Sequence, residues 1–108
     1  MFVEIKDINS STGGLDLAII DTDSIQELLC KDYDIENVRS EKDGRVYTYY
    51  RLRISYKNDG GTTTFCFNSA EQRKSVYNAL LKLLEVQPLT LESVEPIFPE
   101  PKDSFSWM

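Results

Sequence analysis

Alternation of apolar and polar residues predicts that most of this chain folds into β-strands. Period-two alternation is strongest over residues 45–57, where even positions are mostly apolar and odd positions are basic, aromatic or polar. The Asp-Gly and Gly-Gly pairs within residues 58–61 favour a hairpin turn, and residues 62–67 return as β-branched and aromatic residues. Together with residues 35–41, these segments predict a three-stranded meander.

The first third of the chain predicts two strands followed by an ambiguous segment. Residues 1–8 alternate, and residues 15–20 form a short apolar run bounded by turn signals, which is typical of a buried strand. In residues 22–31 a cap at Asp23 or Ser24 favours a helix of one to two turns. The alternative is that this segment continues the sheet.

An amphipathic helix is predicted over residues 69–86. Asn68 or Ser69 can cap it, with Glu71 or Gln72 respectively completing a capping box, and Pro88 prevents much continuation. Apolar residues at helical spacing predict the stripe that faces the core. This stripe consists of Val76, Leu80, Leu83 and Leu84, and is widened by Tyr77 and Leu81.

The predicted fold class is α+β, with five or six mainly antiparallel strands in a bent sheet or partly open barrel. Residues 1–87 are predicted to form one domain and residues 88–108 an extended tail. The run Phe-Cys-Phe-Asn-Ser-Ala-Glu-Gln-Arg at residues 65–73, followed by an apolar helix, resembles the last strand and C-terminal helix of pleckstrin-homology-like folds. That resemblance implies a bent sheet or partly open barrel capped at one end by the helix, and a pleckstrin-homology-like barrel is the alternative architecture.

The tail combines four prolines with large apolar residues. The prolines favour an extended path, while Phe98, Phe105 and Trp107 predict that the tail lies against a surface. That surface is its own domain, a second copy of the chain or a partner protein.

Charge is sorted along the chain. The net charge of −6 divides into −7 over residues 1–43, +5 over residues 44–84 and −4 over residues 85–108. On the odd face of the long strand, Arg51 and Arg53 follow Tyr47 and Tyr49. Either acids of the other blocks neutralise these bases, or the face binds a partner. Direct nucleic-acid binding is not expected, because an acidic chain is repelled by phosphates.

The acidic block has a second interpretation. Asp32, Asp34 and Glu36 belong to a dense acidic run that can imitate a phosphate backbone. Small acidic inhibitors from phages or mobile elements block nucleic-acid-processing proteins in this way, and this is the alternative function.

Catalytic and metal chemistry has little support in the sequence. The chain has no histidine, which removes the commonest general base and metal ligand. Asp21-Thr-Asp23-Ser24 after an apolar strand resembles the metal motif of family B DNA polymerases and, more loosely, that of haloacid-dehalogenase-like phosphatases, whereas the other interpretation is a cap. A metal-dependent hydrolase is therefore the third hypothesis, and we expect no enzyme, no cofactor and no metal.

The sequence thus predicts a non-catalytic protein–protein interaction module that binds a protein partner or itself. Its binding residues are predicted on the strand face, at Tyr47, Tyr49, Arg51 and Arg53, and in the tail, at Phe98, Phe105 and Trp107. The isolated cysteines Cys30 and Cys66 are expected to be reduced thiols in the cytoplasm. Without a long apolar run, no membrane partner is expected.

Overall fold

A computed structural model describes residues 1–87 and Leu89 of the chain. Six strands and one α-helix lie within these residues. In chain order the elements are β1 (Phe2–Ile8), β2 (Leu15–Asp21), a 3₁₀ turn (Thr22–Ser24), β3 (Ile25–Leu29), β4 (Ile35–Arg39), β5 (Val46–Tyr56), β6 (Thr62–Phe67) and α1 (Ala70–Leu83).

The strands form two antiparallel sheets. β1 and β2 pair with each other as a two-stranded ribbon, and the other four strands form a sheet in which β3, β4 and β6 each pair with β5. β3 and β4 pair with the two halves of one edge of β5, while β6 pairs with the opposite edge. The α+β prediction is confirmed. The described strands form two sheets that do not close into a barrel. The pleckstrin-homology-like barrel given as the alternative is therefore not formed.

The main core lies between the even-numbered face of β5, the ribbon and the helix. Period-two alternation turns Leu52 and Ile54 inward, where both are fully buried. Their neighbours in the core come from five other elements: Ile5, Ile20, Ile25, Phe65, Phe67 and Leu80. On the opposite face of β5, Ile8, Tyr49 and Cys66 form a smaller buried cluster.

The predicted amphipathic helix and its N-cap are confirmed. Ser69 is the N-cap and its side chain accepts from the backbone N–H of Gln72, while the Gln72 side chain accepts from the backbone N–H of Asn68. Leu80 is buried and Val76 packs against the core. Leu83 is 41% exposed, so its assignment to the core stripe was wrong.

Two predictions in the first third of the chain are also wrong. Residues 22–31 form one 3₁₀ turn and then β3, because β5 offers a free edge with which Ile25–Leu29 pairs. The strand predicted to be buried, now β2, has one covered face and one exposed face. The cap interpretation of Asp21 is correct, since its side chain accepts from the backbone N–H of Asp23.

The hairpin turn between β5 and β6 lies at residues 58–61, as predicted, and three of these residues have positive φ angles. Asn58, Asp59 and Gly61 have φ of 57°, 58° and 81°. Gly60 has another role: a Cβ there would lie 2.8 Å from the Cβ of Tyr56. Gly60 is therefore required for close approach of the backbone rather than for its φ angle.

Predictions for the tail lie outside the described residues. These include the extended path and the contacts of Phe98, Phe105 and Trp107, which stay predictions. In the part of the chain that is described, no helix is both long and apolar enough to cross a membrane.

Candidate functional site

The arginines of the predicted strand face are bound to an acid of the same chain. Asp34 is 7% exposed, and its carboxylate accepts from Nε of Arg51 at 2.8 Å and from Nε of Arg53 at 2.7 Å. A further bond joins Nη2 of Arg53 to the same carboxylate at 3.1 Å. Two guanidinium groups thus converge on one buried carboxylate, as the neutralisation hypothesis predicted.

A third arginine binds the backbone of the β3–β4 connection, which carries Asp34. Arg73, in the first turns of α1, is 3% exposed and its Nη1 donates to the backbone oxygens of Lys31 and Asp34, at 2.8 and 3.2 Å. Its guanidinium also lies 5.5 Å from the ring centre of Tyr50. We call Asp34, Arg51, Arg53 and Arg73 the Asp34 cluster. Sequence reasoning missed Arg73, although it lies on the buried stripe one turn before Val76 and Tyr77.

Electrostatics in the Asp34 cluster favour the charged forms. The hydrogen bonds from Arg53, followed by the attraction of both guanidinium groups, lower the pKa of Asp34 despite its burial. The same contact with Asp34 raises the pKa of Arg53. Asp34 and Arg53 therefore stabilise each other in their charged forms.

The two tyrosines of the predicted strand face lie in different surroundings. Tyr49 is 6% exposed and packs with Ile8 and Cys66, so its ring is in the interior. Tyr47 is exposed, and its hydroxyl donates a short hydrogen bond to Asp43. That bond lowers the pKa of Asp43 and raises the pKa of Tyr47. Of the four predicted strand-face residues, Tyr47 is the most accessible.

The predicted acidic surface is also divided. Asp32 is exposed and Glu36 is half-buried, but Asp34 is buried among the arginines. These three residues therefore do not present one continuous acidic face. Among the described residues, no group of three or more possible metal ligands is found.

Among the described residues, several of the exposed large apolar side chains lie on the ribbon. Register pairs Glu4 with Ile19 and Lys6 with Leu17, so these four side chains share the outward face. Phe2 and Leu15 lie at the two ends of the same face. We call this surface the ribbon face and define it by Phe2, Glu4, Lys6, Leu15, Leu17 and Ile19. Its four apolar side chains are 61–73% exposed.

Burial of the opposite side of the ribbon explains this exposure. Val3, Ile5, Ala18 and Ile20 point inward and join the main core. Asp7, also on that side, accepts from the backbone N–H of Cys66 in β6 at 3.0 Å. Burial raises the pKa of Asp7, and it also raises the pKa of the Cys66 thiol. The ribbon is thus fixed to the sheet by one face. On its other face Ile8, at one end, is buried against Tyr49 and Cys66, whereas the residues of the ribbon face stay exposed.

The exposure of the ribbon face can be read from the sequence only when the pairing of β1 with β2 is known. Leu15, Leu17 and Ile19 form an alternating set, and the neighbouring Ala18 and Ile20 hide this alternation. Once β1 is paired with β2, Glu4 and Lys6 lie opposite Ile19 and Leu17. Charged residues beside apolar ones mark the side that faces solvent.

A cleft of about 960 Å³ opens between the β1–β2 loop and the β4–β5 hairpin. Ile8, Val38 and Tyr49 line its apolar part, while hydroxyl groups line much of the rest. Its charged residues are two bases and two acids, namely Arg39, Lys42, Glu41 and Asp43. The cleft thus carries no net charge that would select an ionic ligand.

Comparison of the chain with models of protein families, with curated proteins and with solved structures finds no match. Function is therefore argued from the geometry of the described residues.

Proposed function

We propose that this chain is a non-catalytic protein–protein interaction module whose docking surface is the ribbon face. The observation that carries this proposal is the 61–73% exposure of Phe2, Leu15, Leu17 and Ile19 on one continuous surface. Clusters of exposed apolar side chains on this scale mark surfaces that other proteins cover. A folded chain that keeps them in water loses the free energy that their burial would contribute.

The strand face has a smaller part in this proposal than the sequence indicated. Arg51 and Arg53 are bound to Asp34 and Tyr49 is buried, so Tyr47 is the main strand-face residue left for a partner. The tail residues Phe98, Phe105 and Trp107 keep their proposed role as a second contact. The free thiols of Cys30 and Cys66 are consistent with action in the cytoplasm.

The proposal is tested by affinity capture from the source cells with the full chain as bait. Leu17→Thr/Ile19→Thr places β-branched residues, which strands favour, in β2 and removes two of the four apolar side chains of the ribbon face. We expect specific partners to be lost with this bait and retained with Val46→Thr, a control that changes an exposed apolar strand residue outside the ribbon face. Identical partners for all baits would reject the ribbon face as the docking surface.

A second experiment addresses the tail. Phe98→Ala, Phe105→Ala and Trp107→Ala, combined in the full chain, are expected to weaken capture of the same partners. Unchanged capture would remove the tail from the proposal. The acidic-inhibitor alternative stays a prediction, and Asp32 and Glu36 are its accessible test positions because Asp34 is engaged by arginines.

A further inference from the structure

We propose that the partner of the ribbon face is the ribbon face of a second copy of this chain, packed face to face about a two-fold axis. This inference rests on the proposed function, because it requires the ribbon face to be a docking surface. It adds the identity and the geometry of the occupant.

The arrangement of the ribbon face is complementary to itself. Glu4 and Lys6 are neighbours on β1, and Ile19 and Leu17 are their cross-strand partners on β2. A two-fold axis that crosses the strands midway between these two pairs places Glu4 over Lys6 of the second copy. The same axis places Leu17 over Ile19 of the second copy. These two central rows match, as an interface between identical surfaces requires. Towards the ends, the same axis places Phe2 over Ile8 and Leu15 over Asp21 of the second copy.

Charge supports a second copy over an unrelated acidic or basic protein. Glu4 and Lys6 are exposed, and neither forms an ion pair within the described residues. Their charges cancel, and Asp21, which lies opposite Phe2 on the same side, forms an ion pair with the N-terminal amine. The ribbon face is therefore close to neutral on a chain whose net charge is −6, so two acidic copies meet there with little charge repulsion.

The area of the ribbon face suits a weak dimer. Burial of four such apolar side chains removes on the order of 300–500 Å² of apolar surface per copy. A standard interface buries about 800 Å² per partner and is a little over half apolar. The ribbon face therefore supplies most of the apolar part, and Glu4, Lys6 and the surrounding rim supply the polar part.

Charge exchange tests this geometry in the full chain. Sedimentation of the purified protein from about 1 to about 500 µM covers the range expected for a weak dimer. Glu4→Lys and Lys6→Glu are each expected to weaken dimerisation about tenfold or more, because each places like charges together twice in a two-fold dimer. Glu4→Lys/Lys6→Glu exchanges the two charges and is expected to restore dimerisation to within about threefold of the wild type.

Several outcomes would overturn the proposal. A wild-type chain that stays monomeric throughout the range excludes the second copy, and so does a dimer that the single changes leave intact or the double change fails to restore. Circular dichroism of each variant shows whether a loss of dimer is a loss of fold. A monomeric chain whose partner capture still depends on Leu17 and Ile19 overturns this inference alone, whereas capture that is independent of them overturns the proposed function.

Discussion

The Asp34 cluster and the ribbon face reverse what their residue types suggest. In the first, Arg51 and Arg53 on β5 bind Asp34 of the β3–β4 connection, and Arg73 on α1 binds the backbone of that connection. Asp34 and Arg73 are buried as a result. In the second, apolar side chains on β2 remain in water. Residue type thus predicts exposure poorly here, because the element that lies opposite decides it. β5 has neighbours on both faces, whereas the ribbon has a neighbour on one.

Leucine truncation should give the largest contrast between the sheet and the ribbon. Leu52 is fully buried, so Leu52→Ala should lower the free energy of unfolding by about 3–4 kcal/mol through lost transfer energy and a cavity. Leu17→Ala, the same chemical change on the ribbon face, should cost less than about 0.5 kcal/mol. Urea denaturation at low protein concentration measures both, and equal losses would show that Leu17 is covered.

Removal of the Asp34 charge should have the next largest effect. Asp34→Asn keeps the size of the side chain but weakens charge-assisted bonds to Arg51 and Arg53, so we expect a loss of about 2–3 kcal/mol. Asp32→Asn, two residues away and exposed, should change stability by less than about 0.5 kcal/mol. Similar values for the two variants would contradict a structural role for the Asp34 cluster.

The effect of Asp34→Asn should also depend on pH. Because the pKa of Asp34 is lowered in the folded chain, its stabilising contribution is complete above the ordinary value of 3.8 and is lost as the pH falls through the folded value. The gap in unfolding free energy between wild type and variant should therefore be constant from about pH 7 to about pH 5 and should narrow below about pH 4. A gap that does not change with pH would reject the ionised form of Asp34.

The contribution of Asp7 to stability should depend on pH in the opposite direction from that of Asp34, and by a smaller amount. Burial raises its folded pKa, so the stability that comes from protonation is present at low pH and is lost as the pH rises through that value. Asp7→Asn retains an oxygen that can accept from the backbone N–H of Cys66. We expect it to be more stable than the wild type at pH 7 by up to about 1 kcal/mol, and this advantage should shrink towards about pH 4. If the stability advantage of Asp7→Asn grows as the pH falls, the raised pKa of Asp7 is contradicted.

Sequence reasoning recovered the elements better than the surfaces. The long strand, the hairpins and the helix with its Ser69 cap follow from local periodicity and capping, which neighbouring residues determine. The strand at residues 25–29 does not, because its conformation depends on pairing with β5, far away in the chain. Exposure of Leu15, Leu17 and Ile19 likewise depends on which element covers β2. The burial of Arg73 depends on backbone oxygens that the β3–β4 connection presents.

Tyr47 provides the smallest expected effect and tests the exposed end of the predicted strand face. Tyr47→Phe removes the hydroxyl that binds Asp43 at the surface, so the free energy of unfolding should stay close to that of the wild type. The pKa of Asp43 should rise towards its ordinary value, since this hydrogen bond is the main cause of its lowering. NMR titration of the Asp43 carboxyl measures this, and an unchanged pKa would show that the bond is absent in solution.

Arg73 also has a consequence for the dynamics of the chain. The segment from Lys31 to Tyr33 is exposed and has no regular secondary structure, so by itself it would open to solvent independently of the core. The backbone carbonyls of Lys31 and Asp34 accept hydrogen bonds from the guanidinium of Arg73, which belongs to α1. The Asp34 carbonyl also accepts from the backbone N–H of Arg51. Release of the loop thus breaks its hydrogen bonds to the helix, which couples the two segments. Amide hydrogens of Asp34 and Arg51 should therefore exchange at the same rate as those of the helix, as one cooperative unit.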